Sequence, residues 1–566
     1  MSGLAEHVLV LPIVVPLAAG AAMLLLTEAQ RGLRTALALA SILVQLAAAI
    51  GLLYLTTGAA PPLWPEGIGV YSIGAWPAPF GIVLVVDHLS ALMLVQSAAV
   101  ALAAVIYALA SWDRPGQPFH SLFQFLLMGL NGAFLTGDLF NLFVFFEVLL
   151  AASYGLLMRG VGVGRMRTAM HYIAVNLTAS LLFLIGVALI YGIAGTLNMA
   201  DLTLKVETLA PQDRALLDAG TVILGIAFLV KAGSWPLNFW LPGSYSFAIA
   251  PVAAAFGLLT KVGVYAVLRV GMLISADPAA AAILQSILFF IGLATLTAGT
   301  FGMLGAYGLR RLVSFSIIVS TGLMLAALGL GISAETAPVL FYLVTSILTT
   351  AAFFLLAGMA DRTREPIGMS SLDTERPEPP AAAPVRRRIA EFLPSYVGFG
   401  AREPDPYGTS EEVGRAIPAA MAFLGLMFVC CVLLVTGLPP LPGFIAKFAL
   451  LSAALGSAEG AGSTTEAWVL AIAVILTGIA GIAATTRIGM RLFWTVTGRR
   501  TPRLRMTEAA SAAFLVLLCF GLSAAAGPVM NYLDTAARSL HEPGSYIRAV
   551  LGSQQAAGLR SGDLTP

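Results

Sequence analysis

Lysine is rare in this sequence: Lys205, Lys231, Lys261 and Lys447 stand against twenty-seven arginines. Three of the four, Lys231, Lys261 and Lys447, fall inside long apolar runs, while arginine takes nearly all the surface positions. Arginine stays protonated in proteins, whereas a buried lysine can surrender its charge, so it can accept and release protons. Glu147 belongs with them. In GDLFNLFVFFEVLLAASYGLLM it lies nine residues beyond Asp138, which at about 1.5 Å per helical residue is roughly 13 Å into an apolar layer. Lys261, ten residues beyond Pro251, lies about 15 Å deep by the same arithmetic. A charge at the centre of a bilayer costs about 2.5–3.5 kcal/mol, so four approach roughly 10–14 kcal/mol before any pairing. That expense points to proton handling. The competing account is an ion pair between Glu147 and Lys231 that merely glues two helices. It fits Lys261 and Lys447 poorly, because no carboxylate partner for either is evident in the sequence.

Weaker signals surround these four. Asp87 and Asp138 lie at the ends of apolar runs, where a helix N-terminus or water can satisfy them, and His88 and His171 occupy similar positions. FYLVTSILTTAAFFLL offers only the hydroxyls of Thr345, Ser346, Thr349 and Thr350. Thr345 and Thr349 are four residues apart on one helix face, with Ser346 and Thr350 on the neighbouring ridge. Such a face can hold ordered water between Lys261 and Lys447, or can simply let helices pack closely. Cys430, Cys431 and Cys519 have no metal-ligand spacing and read as packing residues. GVGVG at 160–164 follows no strand and reads as a turn, not a nucleotide loop. No phosphate loop, nucleophile elbow or zinc signature occurs, so neither metal nor cofactor is expected.

The elements that must position these residues are membrane helices. The 566 residues are 58% hydrophobic and 11% charged, with a mean hydropathy of +0.90. Apolar runs near twenty residues recur along the chain, too long and too uniform for barrel strands. A net charge of +2 gives no footprint for nucleic acid. The expectation is an all-α polytopic membrane protein in contact with the lipid bilayer. About fourteen spans are expected near 5–26, 33–55, 82–110, 119–137, 138–158, 168–194, 217–248, 251–273, 281–305, 310–331, 336–359, 416–454, 466–494 and 508–530. The first run has no basic flank before it and reads as a helix, not a cleaved signal.

The seventh and twelfth spans are long and carry prolines, Pro236 and Pro242 in the one and Pro439, Pro440 and Pro442 in the other. Proline removes a backbone donor and breaks a helix, which a membrane tolerates only where protein or water meets the freed groups. Two broken helices five spans apart suggest two five-helix units, 119–273 and 281–494, between an N-terminal region of three helices (1–118) and a C-terminal helix and tail (508–566). An odd number of helices per unit inverts the second unit relative to the first, and broken helices at matching positions mark an ion pathway. Arginines crowd the loops on one side, which by the positive-inside rule puts both termini outside and the polar linker of about 361–415 in the cytoplasm.

Read together, GDLFNLFVFFEVLLAASYGLL, VKAGSWPLNFWLPGSY, LLTKVGVYAVLRV and LPPLPGFIAKFALL resemble the antiporter-like proton-translocating subunits shared by respiratory complex I and Mrp antiporters. With HYIAVNLTASLLFLIGVALIYGIAGTLNMADL added, the resemblance is strongest to the D subunits of Mrp-type multisubunit Na+/H+ antiporters. It runs from about residue 80 to 500. It implies a fourteen-helix core with two inverted five-helix repeats. It also implies proton conduction along a central polar axis, coupled to sodium efflux, in a bacterial inner-membrane complex with other membrane subunits. On the family's motifs Glu147 is the fifth-span glutamate, Lys231 the seventh-span lysine, Lys261 the eighth-span lysine and Lys447 the twelfth-span lysine. The chain departs from the family in its eleventh span, where many members carry histidine or lysine. The alternatives are a redox-driven proton-pumping subunit of complex I or a membrane-bound hydrogenase, and a structural subunit that does not conduct. Lys447 disfavours the most similar complex I paralogue, which tends to carry glutamate there.

Overall fold

Helices form along the long apolar runs, because a chain in hydrocarbon must satisfy its backbone groups within each segment. The computed structural model describes residues 7–58, 64–110, 118–159, 163–274, 278–361, 419–456, 465–493 and 504–552. The 361–415 linker, save Asp361, and most of the 160–164 turn lie outside the described residues. Among those described, twelve helices are long and apolar enough to cross a membrane. Three shorter apolar helices accompany them: α1 (Leu11–Leu25), α4 (Phe119–Leu135) and α15 (Pro442–Gly456).

In chain order the N-terminal region also holds α2 (Arg31–Thr56) and α3 (His88–Ala108). Then come α5 (Leu139–Leu157), α6 (Val163–Ala194), the short α7 (Met199–Thr208), α8 (Pro211–Ala232), α9 (Trp240–Phe247) and α10 (Ala250–Ile274). The remainder comprises α11 (Pro278–Leu304), α12 (Leu309–Gly329), α13 (Thr336–Asp361), α14 (Ala419–Thr436), α16 (Thr465–Phe493), α17 (Met506–Ala524) and α18 (Ala526–His541).

Burial sorts these helices into layers. The apolar stretch of α13 is 100% buried and that of α10 94%, whereas that of α11 is only 28% buried. The helices bearing Lys261 and the hydroxyl series are therefore central, and α11 presents most of its surface outward.

Three expectations need correction. The fold is not purely helical: β1 (Gly69–Ser72) pairs antiparallel with β2 (Val83–Val86), Gly69 opposite Val86. The four-residue run VLVV carries no period that separates a short buried strand from the start of a helix. The C-terminal helix divides at Ala525, and the strongly amphipathic α18 that follows buries Leu533, Ala536, Ala537 and Leu540. The helix breaks lie at Gly233–Phe239 and Gly437–Leu441, so Pro236, Pro439 and Pro440 fall inside them but Pro242 and Pro442 do not. Pro242 sits in the first turn of α9 and Pro442 is the first residue of α15. Proline in a first turn removes a donor that has no helical acceptor anyway, so it begins a half-helix where an interior proline would end one.

Glycine sets each break. Gly233 closes α8 at φ +71° and Gly437 follows α14 at φ +76°, left-handed conformations that side-chain-bearing residues resist. The N–H groups of Gly233 and Ser234 donate back to Val230 and Leu229, and those of Gly437 and Leu438 both donate to Leu433.

Candidate polar axis

The chain through Glu147 and Lys231 begins on α5. Asp138 caps that helix by accepting from the Asn141 N–H at 2.8 Å, which fixes the turn from which Glu147 is reached. Burial pushes the Asp138 carboxyl up to about 6, although backbone N–H groups of Asn141 and Phe140 pull the other way. Glu147 and Lys231 make no direct ion pair. The Ser180 hydroxyl on α6 stands between them, donating to Glu147 Oε1 and accepting from Lys231 Nζ at 3.2 Å. Phe146, Phe183 and Phe228 cluster beside them, and Lys231 Nζ lies 5.3 Å from the Phe146 ring centroid. The aromatic wall excludes water on that side, so Ser180 is the polar link between the two charges.

Lys261 is fully buried, and hydroxyls surround its ammonium. Its Nζ donates to Ser320 Oγ at 2.8 Å and approaches Thr321 Oγ1 at 3.5 Å, both on α12. Glycine lets its helix come close to the neighbours. A Cβ on Gly263 would lie 2.5 Å from the Ala232 nitrogen, and one on Gly257 would lie 2.9 Å from Thr350 Oγ1. The helix carrying Lys261 thus meets both the end of α8, next to Lys231, and α13.

Lys447 folds back across the second break. Its Nζ donates to the Thr436 carbonyl at 2.9 Å and the Val435 carbonyl at 3.3 Å, the free C-terminal carbonyls of α14. A cation there also complements the negative end of the helix dipole. A Cβ on Gly437 would approach the Lys447 side chain to 2.7 Å, so this glycine serves both the backbone turn and the seat of the lysine.

Ser320, the partner of Lys261, and Lys447 line one cavity of about 30 Å³ together with Thr345, Ser346 and Thr350. At roughly 10–15 Å³ per water the cavity has room for about two. The hydroxyl hydrogens of α13 are already engaged with their own helix: Thr345 donates to Phe341, Ser346 to Leu343 at 2.9 Å and Thr350 to Ser346 at 2.7 Å. They therefore face the cavity as acceptors. Thr349 does not line it and lies against Cys519 on α17.

A separate buried pair joins α3 to α10. Asp87 caps α3 through Ser90, and Arg269 Nη1 lies 2.6 Å from its carboxylate. Burial pushes the Asp87 carboxyl up, but the guanidinium and the Ser90 hydrogen bonds outweigh it and hold the group at about 2. Tyr265 and Tyr546 flank the guanidinium, each ring centroid 5.6 Å away.

A family model described as "NADH:quinone oxidoreductase/Mrp antiporter, TM" matches residues 136–377, which contain the Glu147–Ser180–Lys231 chain, Lys261 and the hydroxyl face of α13. A Rhizobium meliloti protein, named as the probable D subunit of a K(+)/H(+) antiporter, is 47% identical over 97% of this chain and 98% of its own. The D subunit of a Na(+)/H(+) antiporter from Alkalihalophilus pseudofirmus is 32% identical over 96% of this chain and 99% of its own. The chain belongs to the family of antiporter D subunits. Its fold is that of a chain in the Mrp complex of Dietzia sp., with a TM-score of 0.76 at 24% identity over 97% of this chain and 99% of that one. A chain of the archaeal membrane-bound sulfane sulfur reductase shares the fold equally, with a TM-score of 0.76 at 22% identity over 97% and 100% of the two chains.

Among the residues identified from sequence, Glu147 and Lys231 share one hydroxyl bridge, and Lys447 lines a cavity that Ser320, the hydrogen-bond partner of Lys261, also lines. Sequence reasoning missed Ser180, Ser320 and Thr321. Each is a hydroxyl in an apolar run, where a serine or threonine reads first as a packing residue. It also missed the ion pair of Asp87 with Arg269, because nearly two hundred residues of chain separate the partners.

Proposed function

We propose that this chain is the proton-translocating subunit of a multisubunit monovalent cation/proton antiporter in the bacterial cell membrane. It is a transporter component, working with other membrane subunits, and not an enzyme. Protons pass along Glu147, Ser180, Lys231, Lys261, water beside the α13 hydroxyls, and Lys447. The observation that carries the reading is Lys261: fully buried, bonded only to hydroxyls, and one serine away from the cavity of Lys447. A lysine kept for structure alone would be expected to hold a carboxylate.

In this reading the chain crosses the bilayer fourteen times, α8 with α9 and α14 with α15 each forming one interrupted crossing, and both termini lie outside. Helices four to eight and nine to thirteen form inverted repeats. In support, both interruptions begin at a left-handed glycine, with Lys231 just before the first and Lys447 just after the second. Relatives named for potassium and for sodium both align along nearly the whole chain, so the exchanged cation is assayed with both ions.

The test is antiport by the full complex in everted vesicles, followed by fluorescence quenching. Lys261→Ala should abolish K+- and Na+-driven proton movement while the complex assembles at wild-type levels. Near-normal antiport by that variant would refute the reading.

A further inference from the structure

One buried carboxylate has no place on this axis. Glu335 precedes α13 and is 1% exposed, and neither of its carboxylate oxygens has a hydrogen-bond partner. It borders a cavity of about 260 Å³ also lined by Gln285, Gly331, Thr336 and His541. Gly331 has φ +71°, and a Cβ there would meet Gln285 Oε1 at 2.5 Å, so the glycine is what lets the amide lie against this wall. On the other side Thr336 Oγ1 and His541 Nε2 of α18 are 2.8 Å apart.

No cation among the described residues neutralises Glu335. On α10, Arg269 is held by Asp87 and Lys261 by Ser320, while on α15 Lys447 is held by the carbonyls of Val435 and Thr436. On α18, Arg538 is exposed and Asp534 is itself an acid. Burial pushes the His541 imidazole down, so it is neutral at pH 7. The described part of α11 carries no charged residue, and the one on α13, Asp361, pairs with Arg310 at the opposite end of that helix. A buried carboxylate with neither donor nor counter-charge is strongly disfavoured. Two species can relieve it: a proton, or a cation that also takes neutral oxygens from Gln285 and Thr336. A single carboxylate among neutral oxygens suits a monovalent alkali ion, since calcium sites collect six to eight oxygens and usually several carboxylates.

We propose that the Glu335 cavity binds an alkali cation in competition with a proton, at a site separate from the lysine axis. The two occupants exclude one another because both need the same carboxylate. The site gives the antiporter a place where cation and proton are exchanged, and to that extent it rests on the function proposed above.

The test uses the purified complex, titrated with NaCl and with KCl at pH 8.5 and pH 6 by calorimetry. The wild type should bind more weakly at pH 6. Glu335→Gln should weaken binding of the preferred ion by at least about tenfold, as loss of a ligand group does, and remove that pH dependence. In vesicles the same variant should raise the cation concentration for half-maximal antiport by a similar factor. Unchanged binding and unchanged half-maximal concentration would overturn the site while leaving the Lys261 reading intact. If Glu335→Gln does not assemble, Gly331→Ala, which displaces Gln285, should produce the same weakening; wild-type binding in that variant would overturn the site equally. A silent Lys261→Ala with altered Glu335→Gln binding would instead remove the proposed conduction route and keep the site.

Discussion

Ser180 is the hydroxyl shared by Glu147 and Lys231, and on the proposed route it is where the two would communicate. A direct ion pair transmits a charge change through space, whereas a shared hydroxyl transmits it by reorienting one hydrogen. When Lys231 is neutral, Ser180 can turn its hydrogen-bonding towards either partner. The double-mutant cycle of Glu147→Gln and Lys231→Ala, read as antiport rate, should therefore show a coupling of about 0.5–3 kcal/mol that shrinks towards zero in a Ser180→Ala background. Additive losses in the presence of Ser180 would refute the coupling. The ionisable members of this trio were legible because charge inside an apolar run is costly enough to stand out. The hydroxyl was not, because an intramembrane serine commonly serves close packing. Asp138 gives a second residue-scale expectation. Its folded pKa of about 6 lies above the ordinary 3.8, so its contribution to stability is fully present below about 3.8 and is lost as pH rises through 6. Asp87, held at about 2, behaves oppositely and stays charged throughout the physiological range. Asp138→Asn retains a capping side chain and should flatten the fall in thermal stability of the complex between about pH 4 and pH 6. An unchanged fall would show that the dependence arises elsewhere.

At the scale of elements, α13 separates two accounts of its hydroxyls. From sequence, Thr345 and Thr349 share a face and Ser346 and Thr350 the next, and nothing in the spacing says which neighbours each face meets. Packing decides it: Thr345, Ser346 and Thr350 meet the cavity that Ser320 and Lys447 also line, and Thr349 meets Cys519. If the oxygens hold water for proton passage, Thr345→Val, Ser346→Ala and Thr350→Val combined should assemble yet slow antiport by about a hundredfold or more, the lower end of the range for positioned proton-transfer groups. Thr349→Val should leave the rate near wild type. Equal effects of the two variants would favour packing over conduction. The broken helices were legible from their prolines, but their exact breaks were not, because proline both ends and begins helices. The left-handed glycines, Gly233 and Gly437, mark the breaks more closely. The β-hairpin was illegible for a different reason, since each strand is only four residues long and β2 is uniformly apolar.

For the whole molecule, the central question is what one chain can transport by itself. Its innermost helices, α10, α12 and α13, hold Lys261 and the hydroxyls beside the small cavity, the middle of the proton route proposed above. A cation route needs a succession of oxygen sites, because hard ions shed water only where carboxylates and carbonyls replace it. Among the described residues no group of three or more histidine, cysteine, aspartate or glutamate side chains converges as such a site would. The Glu335 cavity offers one carboxylate, which can bind an ion and, among the described residues, lacks a second acidic site to pass it to. The polytopic class and the inner position of the charges could be read from composition and depth, whereas the isolation of Glu335 emerged only when α11, α13 and α18 came together around it. We therefore expect exchange to need acidic sites from other subunits placed against this chain. The purified single chain in liposomes should pass protons down an imposed potential but show no proton movement in response to a Na+ or K+ gradient. Reconstitution with the remaining subunits should restore the cation response. Robust cation-driven proton movement by the single chain would mean that it contains a complete cation path, and the division of labour between subunits would have to be redrawn.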